Sequence, residues 1–172
     1  QAEYRFVAAE ADRLGISLRG VLPEFTRFAA AAKDTSLEGA QVRDIWSAVA
    51  ETMVALERPA SDQARVLLAL SQIVSKGKLQ AEELTQQLGE VLPGAFQIAA
   101  RAMRTNTVEL NKMLERGEVM AEDFLPRFAA ELRRSFTAGE DATNGARAAF
   151  GRYETALFQF QTAVARGGFL DG

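Results

Sequence analysis

Apolar residues recur at spacings of three and four along almost the whole chain, which is the period of an amphipathic α-helix. The first such row, Tyr4, Val7, Ala11 and Leu14, is followed by Gly15, and a glycine in that place is typical of a helix end. No window alternates strictly between apolar and polar residues, and no Asn-Gly or Asp-Gly pair joins two β-branched runs. The pattern therefore predicts an all-α fold, a compact multi-helical bundle of about eight short helices plus a longer C-terminal amphipathic helix.

Polar residues and prolines beside the apolar rows predict where helices begin and end. Ser17, Ser36 and Thr107 are each predicted to cap a helix, because a hydroxyl oxygen can accept an N–H group that has no partner in the first turn. Pro59 is predicted to end the third helix, since proline lacks a backbone N–H. Five residues on the apolar faces are predicted to be buried in the core: Leu70, Ile73, Phe96, Phe128 and Leu132.

The composition changes after residue 136, where a stretch of small and polar residues predicts a linker. We therefore expect a helical domain at 1–136, a linker at 137–145, and a C-terminal amphipathic helix with a frayed tail at 146–172. The apolar residues of the last segment are spaced three, four, three and four: Phe150, Tyr153, Leu157, Phe160 and Val164. This row, the C-terminal apolar row, covers about two heptads, too few to identify a coiled coil.

The C-terminal apolar row needs a partner, because each fully buried large side chain contributes roughly 1.5–3 kcal/mol. In one interpretation, the helix packs on its own domain. In the other, it continues in a longer parent protein, and the row contacts a partner or the same helix of a second copy. The glycines of the linker favour neither interpretation. The five residues are thus the predicted partner contact, with self-association as the expected outcome.

The residue types of the chain exclude most kinds of catalytic site. Cysteine and histidine are absent, which excludes disulfides, thiolate ligands and every triad that depends on histidine. Three adjacent carboxylate pairs remain, Glu82-Glu83, Glu122-Asp123 and Glu140-Asp141. Neighbours on a helix point about 100° apart, so the first two pairs are better explained by solvation and dipole compensation at helix starts. Motifs for calcium, phosphate and dinucleotides are absent as well. The sequence predicts no enzyme, no cofactor and no metal site.

One segment raises an alternative function. Residues 98–114 resemble a helix-turn-helix, with a small Ala102, a short turn and a second apolar row. The exposed positions of the second helix are mixed in charge: Glu109, Asn111, Lys112 and Glu115. The chain as a whole has a net charge of −3 and a pI near 5.2, which disfavours nucleic acid as a partner. A hairpin packed in the bundle is the favoured interpretation, and a helical DNA-binding or regulatory module is the alternative.

The chain shows no signal for a membrane or for secretion. No apolar run approaches the roughly 18 residues that a membrane span needs, and no signal peptide is recognisable. Because the sequence opens at Gln1 and runs directly into a helical pattern, we expect it to be a piece of a longer polypeptide.

Several short motifs follow one another through the middle of the chain. They are Val66-Leu-Leu-Ala-Leu-Ser-Gln72, Ser75-Lys-Gly-Lys78, Glu82-Glu-Leu84, Gln87-Leu-Gly-Glu-Val-Leu-Pro-Gly-Ala-Phe-Gln97, Ala99-Ala-Arg-Ala-Met103, Glu109-Leu-Asn-Lys112 and Glu122-Asp-Phe-Leu-Pro126. With the earlier runs Ala11-Asp-Arg-Leu-Gly15 and Phe28-Ala-Ala-Ala-Ala-Lys33, this set resembles the N-terminal region of phage and prophage tail tape measure proteins. The resemblance covers residues 4–136.

The resemblance implies a structural role and no catalytic residue. Tape measure proteins set tail length during assembly and occupy the lumen of the tail tube. The implied partners are tail assembly chaperones and the tail tube and tip proteins. The implied location is the virion tail, and the host cytoplasm during assembly. A measuring segment must be extended, whereas glycines and prolines divide this chain into short helices that each need a partner. We therefore expect a folded module, with the measuring length elsewhere in the parent protein.

Three positions depart from the pattern of the resembled family. Gln80 and Met120 stand at helix starts where serine is common, which predicts caps weaker by roughly 1 kcal/mol each. Arg104 stands where glycine is frequent, which predicts a different type of turn before Thr107.

Overall fold

The computed structural model describes residues 1–136 and 155–163, which form α-helices and one π-helix. The seven α-helices with described bounds are α1 (Ala2–Leu14), α2 (Leu18–Ala31), α3 (Ala40–Ala55), α4 (Ala60–Lys76), α5 (Ala95–Ala102), α6 (Thr107–Glu115) and α7 (Ala121–Ser135). The π-helix, Glu83–Leu88, lies between α4 and α5. Residues 155–163 are also α-helical and are called the C-terminal helical segment. Within these two ranges no β-strand occurs, and the predicted all-α class is confirmed.

The core lies between three packed helix pairs, α2 on α4, α3 on α7 and α5 on α7. Phe25 and Trp46 meet edge to face with their ring centroids 5.7 Å apart. Phe124 stacks on Phe128 at 5.0 Å. Aromatic pairs therefore contribute to the core, as the apolar rows of the helices predict.

Four of the five predicted core residues are buried, and one is not. Leu70, Ile73, Phe128 and Leu132 are each at most 1% exposed. Phe96 is only half-buried at the edge of the core. The prediction for Phe96 is wrong because its helix, α5, is only 8 residues long, and its neighbours Ala95, Ile98 and Ala99 fill the buried side.

The predicted helix caps are confirmed at Ser17 and wrong at two other positions. The Ser17 hydroxyl accepts a hydrogen bond from the backbone N–H of Gly20. By contrast, α3 begins only after Gly39, and the Ser36 hydroxyl donates to the Glu122 carboxylate of α7 instead. Thr107 is already helical. The preceding Asn106 has the extended backbone of a cap, and its side chain accepts from the N–H of Glu109 at 2.8 Å.

A short backbone bridge joins the two loops that precede the helix starts at Gln80 and Met120. Lys78 and Met120 form an isolated antiparallel bridge, in which the N–H of Leu79 donates to the Val119 carbonyl at 2.9 Å. The N–H of Ala121, the first residue of α7, donates to the Gly77 carbonyl at 3.0 Å. Backbone pairing thus satisfies the N–H of the first residue of α7, whereas Met120 itself makes no side-chain cap bond.

Candidate interaction surface

The C-terminal helical segment, 155–163, is tied to the body of the domain through Thr155. The Thr155 hydroxyl accepts from the backbone N–H of Leu18 and donates to the Ile16 carbonyl, both at 2.9 Å. Thr155 is 2% exposed, and Phe158, one turn further on, packs half-buried against the core. The Thr155–Phe158 side of the segment therefore lies on the turn between α1 and α2.

The residues of the C-terminal apolar row that the structure describes lie on a different side of this segment. Leu157 is 43% exposed and Phe160 is 66% exposed. The other three predicted contact residues, Phe150, Tyr153 and Val164, lie outside the described residues. Residues 155–163 also carry no charged side chain. The structure thus brings Leu157 and Phe160 together on an uncharged surface that faces away from the body.

The hairpin of the alternative function does form, as α5 and α6, but its exposed face is not basic. Lys112 pairs with Glu109 at 3.2 Å along α6, and Asn111 donates to Glu115 at 2.8 Å. The neighbouring Val108 is 64% exposed. These local pairs leave the second helix without the excess of positive charge that phosphate contacts need.

The expectation of solvated carboxylates at helix starts is wrong for Glu83. Its side chain is fully buried, accepts from the Gln80 backbone N–H at 2.8 Å, and pairs with Lys76. The spacing of Gln80 and Glu83 is that of the reciprocal cap in which a carboxylate reaches back to the first N–H. In the sequence, the spacing of Gln80 and Glu83, with Lys76 four residues before Gln80, is the pattern that indicates these contacts. Glu83 therefore has a structural role at the start of its helix.

A network of ion pairs that sequence patterns do not predict joins α1, α3 and α7. Arg13 binds Glu10 on its own helix at 2.6 Å and Glu51 of α3 at 2.8 Å. Arg133 of α7 also contacts Glu51, at 3.4 Å. The hydrogen bond from Arg13 is the main cause that lowers the pKa of Glu10 below its ordinary value. Burial opposes it, and a hydrogen bond from the Ser47 hydroxyl adds a smaller lowering effect. The network therefore links these three helices through ion pairs between partly exposed side chains.

The part of the chain that the structure describes offers neither a metal-binding cluster nor a membrane-spanning helix. No group of three or more acidic, histidine or cysteine side chains there could hold a metal ion. Likewise, none of the helices in residues 1–136 and 155–163 is both long and apolar enough to cross a membrane.

Comparison with known proteins identifies the family. A family model described as "Tape measure protein" matches residues 1–166. A probable tape measure protein of Salmonella phage Felix O1 (isolate Felix O1-VT1) is 35% identical over 130 residues, which make up 74% of this chain and 17% of that relative. The chain thus spans less than a fifth of the curated relative. No solved structure matches it. The match over nearly the whole chain confirms the resemblance seen in the motifs, and the chain belongs to the tape measure protein family, structural proteins of the phage tail.

Proposed function

We propose that this chain is a folded protein–protein interaction module of a tail tape measure protein. It contributes to tail assembly and to tail-length determination through its contacts, in the host cytoplasm during assembly and then in the virion tail. Its partners are tail assembly chaperones and the tail tube and tip proteins. We also retain the division into a body at 1–136, a linker at 137–145 and a C-terminal helix with a tail at 146–172.

The observation that carries this proposal is the division of the body into short, mutually packed helices. The longest, α4, has 17 residues, which is about 25 Å at 1.5 Å per residue. A continuous helix of 136 residues would instead span about 200 Å. The body therefore supports a role in docking and assembly, and the measuring length is proposed to lie elsewhere in the parent protein.

We further propose that the C-terminal apolar row contacts a second copy of this chain. Leu157 and Phe160 are exposed on one surface, and an apolar surface gains free energy when it is removed from water. Because residues 155–163 carry no charge, two copies of the segment can approach without repulsion between like charges. A partner selected by charge would need charged side chains on this segment. The absence of charge from residues 155–163 therefore favours an identical helix as the partner.

Electron microscopy of phage tails distinguishes a docking role of residues 1–136 from a role in measuring tail length. In a phage whose tape measure gene encodes this chain, residues 1–136 are deleted in frame, and a matched control deletes 136 residues from the rest of the protein. The proposal expects the first deletion to reduce the number of tails without shortening those that form. The control is expected to shorten tails by about 200 Å. Tails shortened by about 200 Å after the first deletion would show that this segment measures length, and the proposal would be wrong.

A further inference from the structure

Arginine side chains surround a cavity of about 250 Å³ between α5 and α7. Arg101 comes from the last turn of α5, Arg104 from the turn that follows, and Arg127 and Arg134 from α7. Glu131 is the only carboxylate among the lining residues. The chain as a whole carries a net charge of −3, so this concentration of positive charge runs against the overall charge.

The carboxylates near the cavity are already paired. Arg101 contacts one oxygen of Glu131 at 3.1 Å, and Arg134 contacts the other at 3.4 Å. Glu131 is mostly buried, with 11% of its side chain exposed, whereas Arg101 and Arg134 are 54% and 78% exposed. Arg127 pairs with Asp123 on its own helix at 2.9 Å. Among the described residues, four guanidinium groups thus face two carboxylates, which leaves an excess of two positive charges.

Arg104 holds its place in this cluster at a cost in backbone energy. The turn after α5 is closed by hydrogen bonds of 2.9 Å from the N–H of Thr105 to the Ala100 carbonyl and from the N–H of Arg104 to the Arg101 carbonyl. Such a turn needs one residue in the left-handed conformation, normally glycine. Arg104 occupies it with φ 54°, a conformation that residues with a side chain rarely adopt. The expectation of a different turn type is therefore wrong, and the strain places a fourth guanidinium at the cavity.

We propose that this cavity binds the carboxylates of an acidic segment of a partner protein. A guanidinium group offers parallel N–H donors that match a carboxylate, and Glu131 already binds two of these arginines within the chain, one through each oxygen. The proposal rests on the proposed function for the origin of the segment, a neighbouring protein of the tail.

An acidic peptide fits these charges better than nucleic acid does. Proteins that bind duplex DNA commonly neutralise about six to ten phosphates, while this cavity has an excess of two charges. A short acidic segment needs to place only two or three of its carboxylates in the cavity, which matches this excess of charge.

Binding of fluorescent hexaglutamate to the full chain at low salt tests the proposal, with hexaglutamine and a short DNA duplex as comparison probes. The variants are Arg104→Gly and Arg134→Gln, and the matched control is Arg5→Gln, which removes one exposed charge from α1. Each cavity variant is expected to weaken hexaglutamate binding about threefold to fivefold. Arg104→Gly is also expected to keep or raise the melting temperature, because glycine relieves the strained turn, so unfolding cannot explain its weaker binding.

Three results would each overturn the acidic-peptide proposal. The first is hexaglutamate binding no tighter than hexaglutamine. The second is a loss of binding in Arg5→Gln as large as in the cavity variants. The third is tighter binding of DNA with the same dependence on Arg104 and Arg134. None of these results changes the outcome of the tail-length experiment, so failure of the cavity and failure of the module proposal are distinguishable.

Discussion

The side-chain oxygen of Thr155 lies 2.9 Å from the backbone nitrogen of Leu18, a residue 137 positions earlier in the chain. Leu18 is the first residue of α2, so its N–H has no partner within the helix. The Ser17 cap serves Gly20 instead. A side chain from the distant C-terminal helical segment therefore completes the start of α2, and this contact couples the segment to the body.

Removal of the Thr155 hydroxyl should loosen this contact. Thr155→Val leaves the N–H of Leu18 and the carbonyl of Ile16 without their buried partner, which costs about 1–3 kcal/mol. Thr155→Ser keeps the hydroxyl and should stay close to the parent. Hydrogen exchange at the Leu18 amide is the direct readout. Unchanged protection of that amide in the valine variant would show that the contact does not persist in solution.

The exposed surface of the C-terminal helical segment should control self-association. Sedimentation of the chain is expected to show a concentration-dependent dimer. Leu157→Gln combined with Phe160→Gln should shift it to monomer without loss of helix. Phe158→Gln is the matched control on the same segment, and it should lower stability instead, because Phe158 packs against the core. A parent chain that stays monomeric at all concentrations contradicts the proposed contact.

Two glycine-to-alanine substitutions should have opposite effects on stability. At Gly89 an added Cβ would lie 2.6 Å from the Thr85 carbonyl oxygen, closer than any relaxed contact, so Gly89→Ala is expected to cost about 1–3 kcal/mol. At Gly20, within α2, the nearest atom is the Ala60 Cβ at 3.7 Å. Gly20→Ala should therefore be neutral or stabilise by about 0.5–1 kcal/mol. Urea unfolding measures both, and equal effects would show that the π-helix is not tightly packed around Gly89.

Because the pKa of Glu10 is lowered in the folded chain, part of the free energy of unfolding should depend on pH in the acid range. A carboxyl whose pKa is lower in the folded state contributes stability at pH values above its unfolded pKa of 4.5, and the contribution is lost as pH falls through the folded pKa. Glu10→Gln should therefore flatten the decline of unfolding free energy below pH 4.5. Glu24→Gln removes the carboxylate of a local pair with Arg27 and is the control. Parallel acid profiles for the parent and Glu10→Gln would refute this role.

Truncation of core residues should distinguish the fully buried side chains from the half-buried one. Leu70→Ala and Phe128→Ala should each cost about 2–5 kcal/mol, because both side chains are fully buried and leave cavities. Phe96→Ala should cost less, since its ring is partly in water. Chemical denaturation gives the three values. A change below about 1 kcal/mol at Leu70 or Phe128 would mean that those sites are not closely packed.

The sequence alone determined the helical class, most helix positions and the family. Apolar spacing, the cap at Ser17 and the helix end at Gly15 depend on residues within about four positions of one another, so they can be read directly from the chain. The motifs around Gln87–Gln97 likewise identified the tape measure family. The prediction at Ser36 was wrong because α3 begins only after Gly39, and the Ser36 hydroxyl donates to the remote Glu122 carboxylate. The prediction at Thr107 was wrong because the adjacent Asn106 is the cap of α6.

Only the tertiary structure decided which distant groups meet. The Thr155–Leu18 bond, the pairing of the loops at Lys78 and Met120, and the cluster of arginines around Glu131 all join residues far apart in sequence. No local period specifies such pairs, because they form only after the helices choose partners that bury their apolar faces. For the same reason, the apolar spacing predicted that Leu157 and Phe160 make a contact, and only the packing of the helices decided that these two side chains face away from the body.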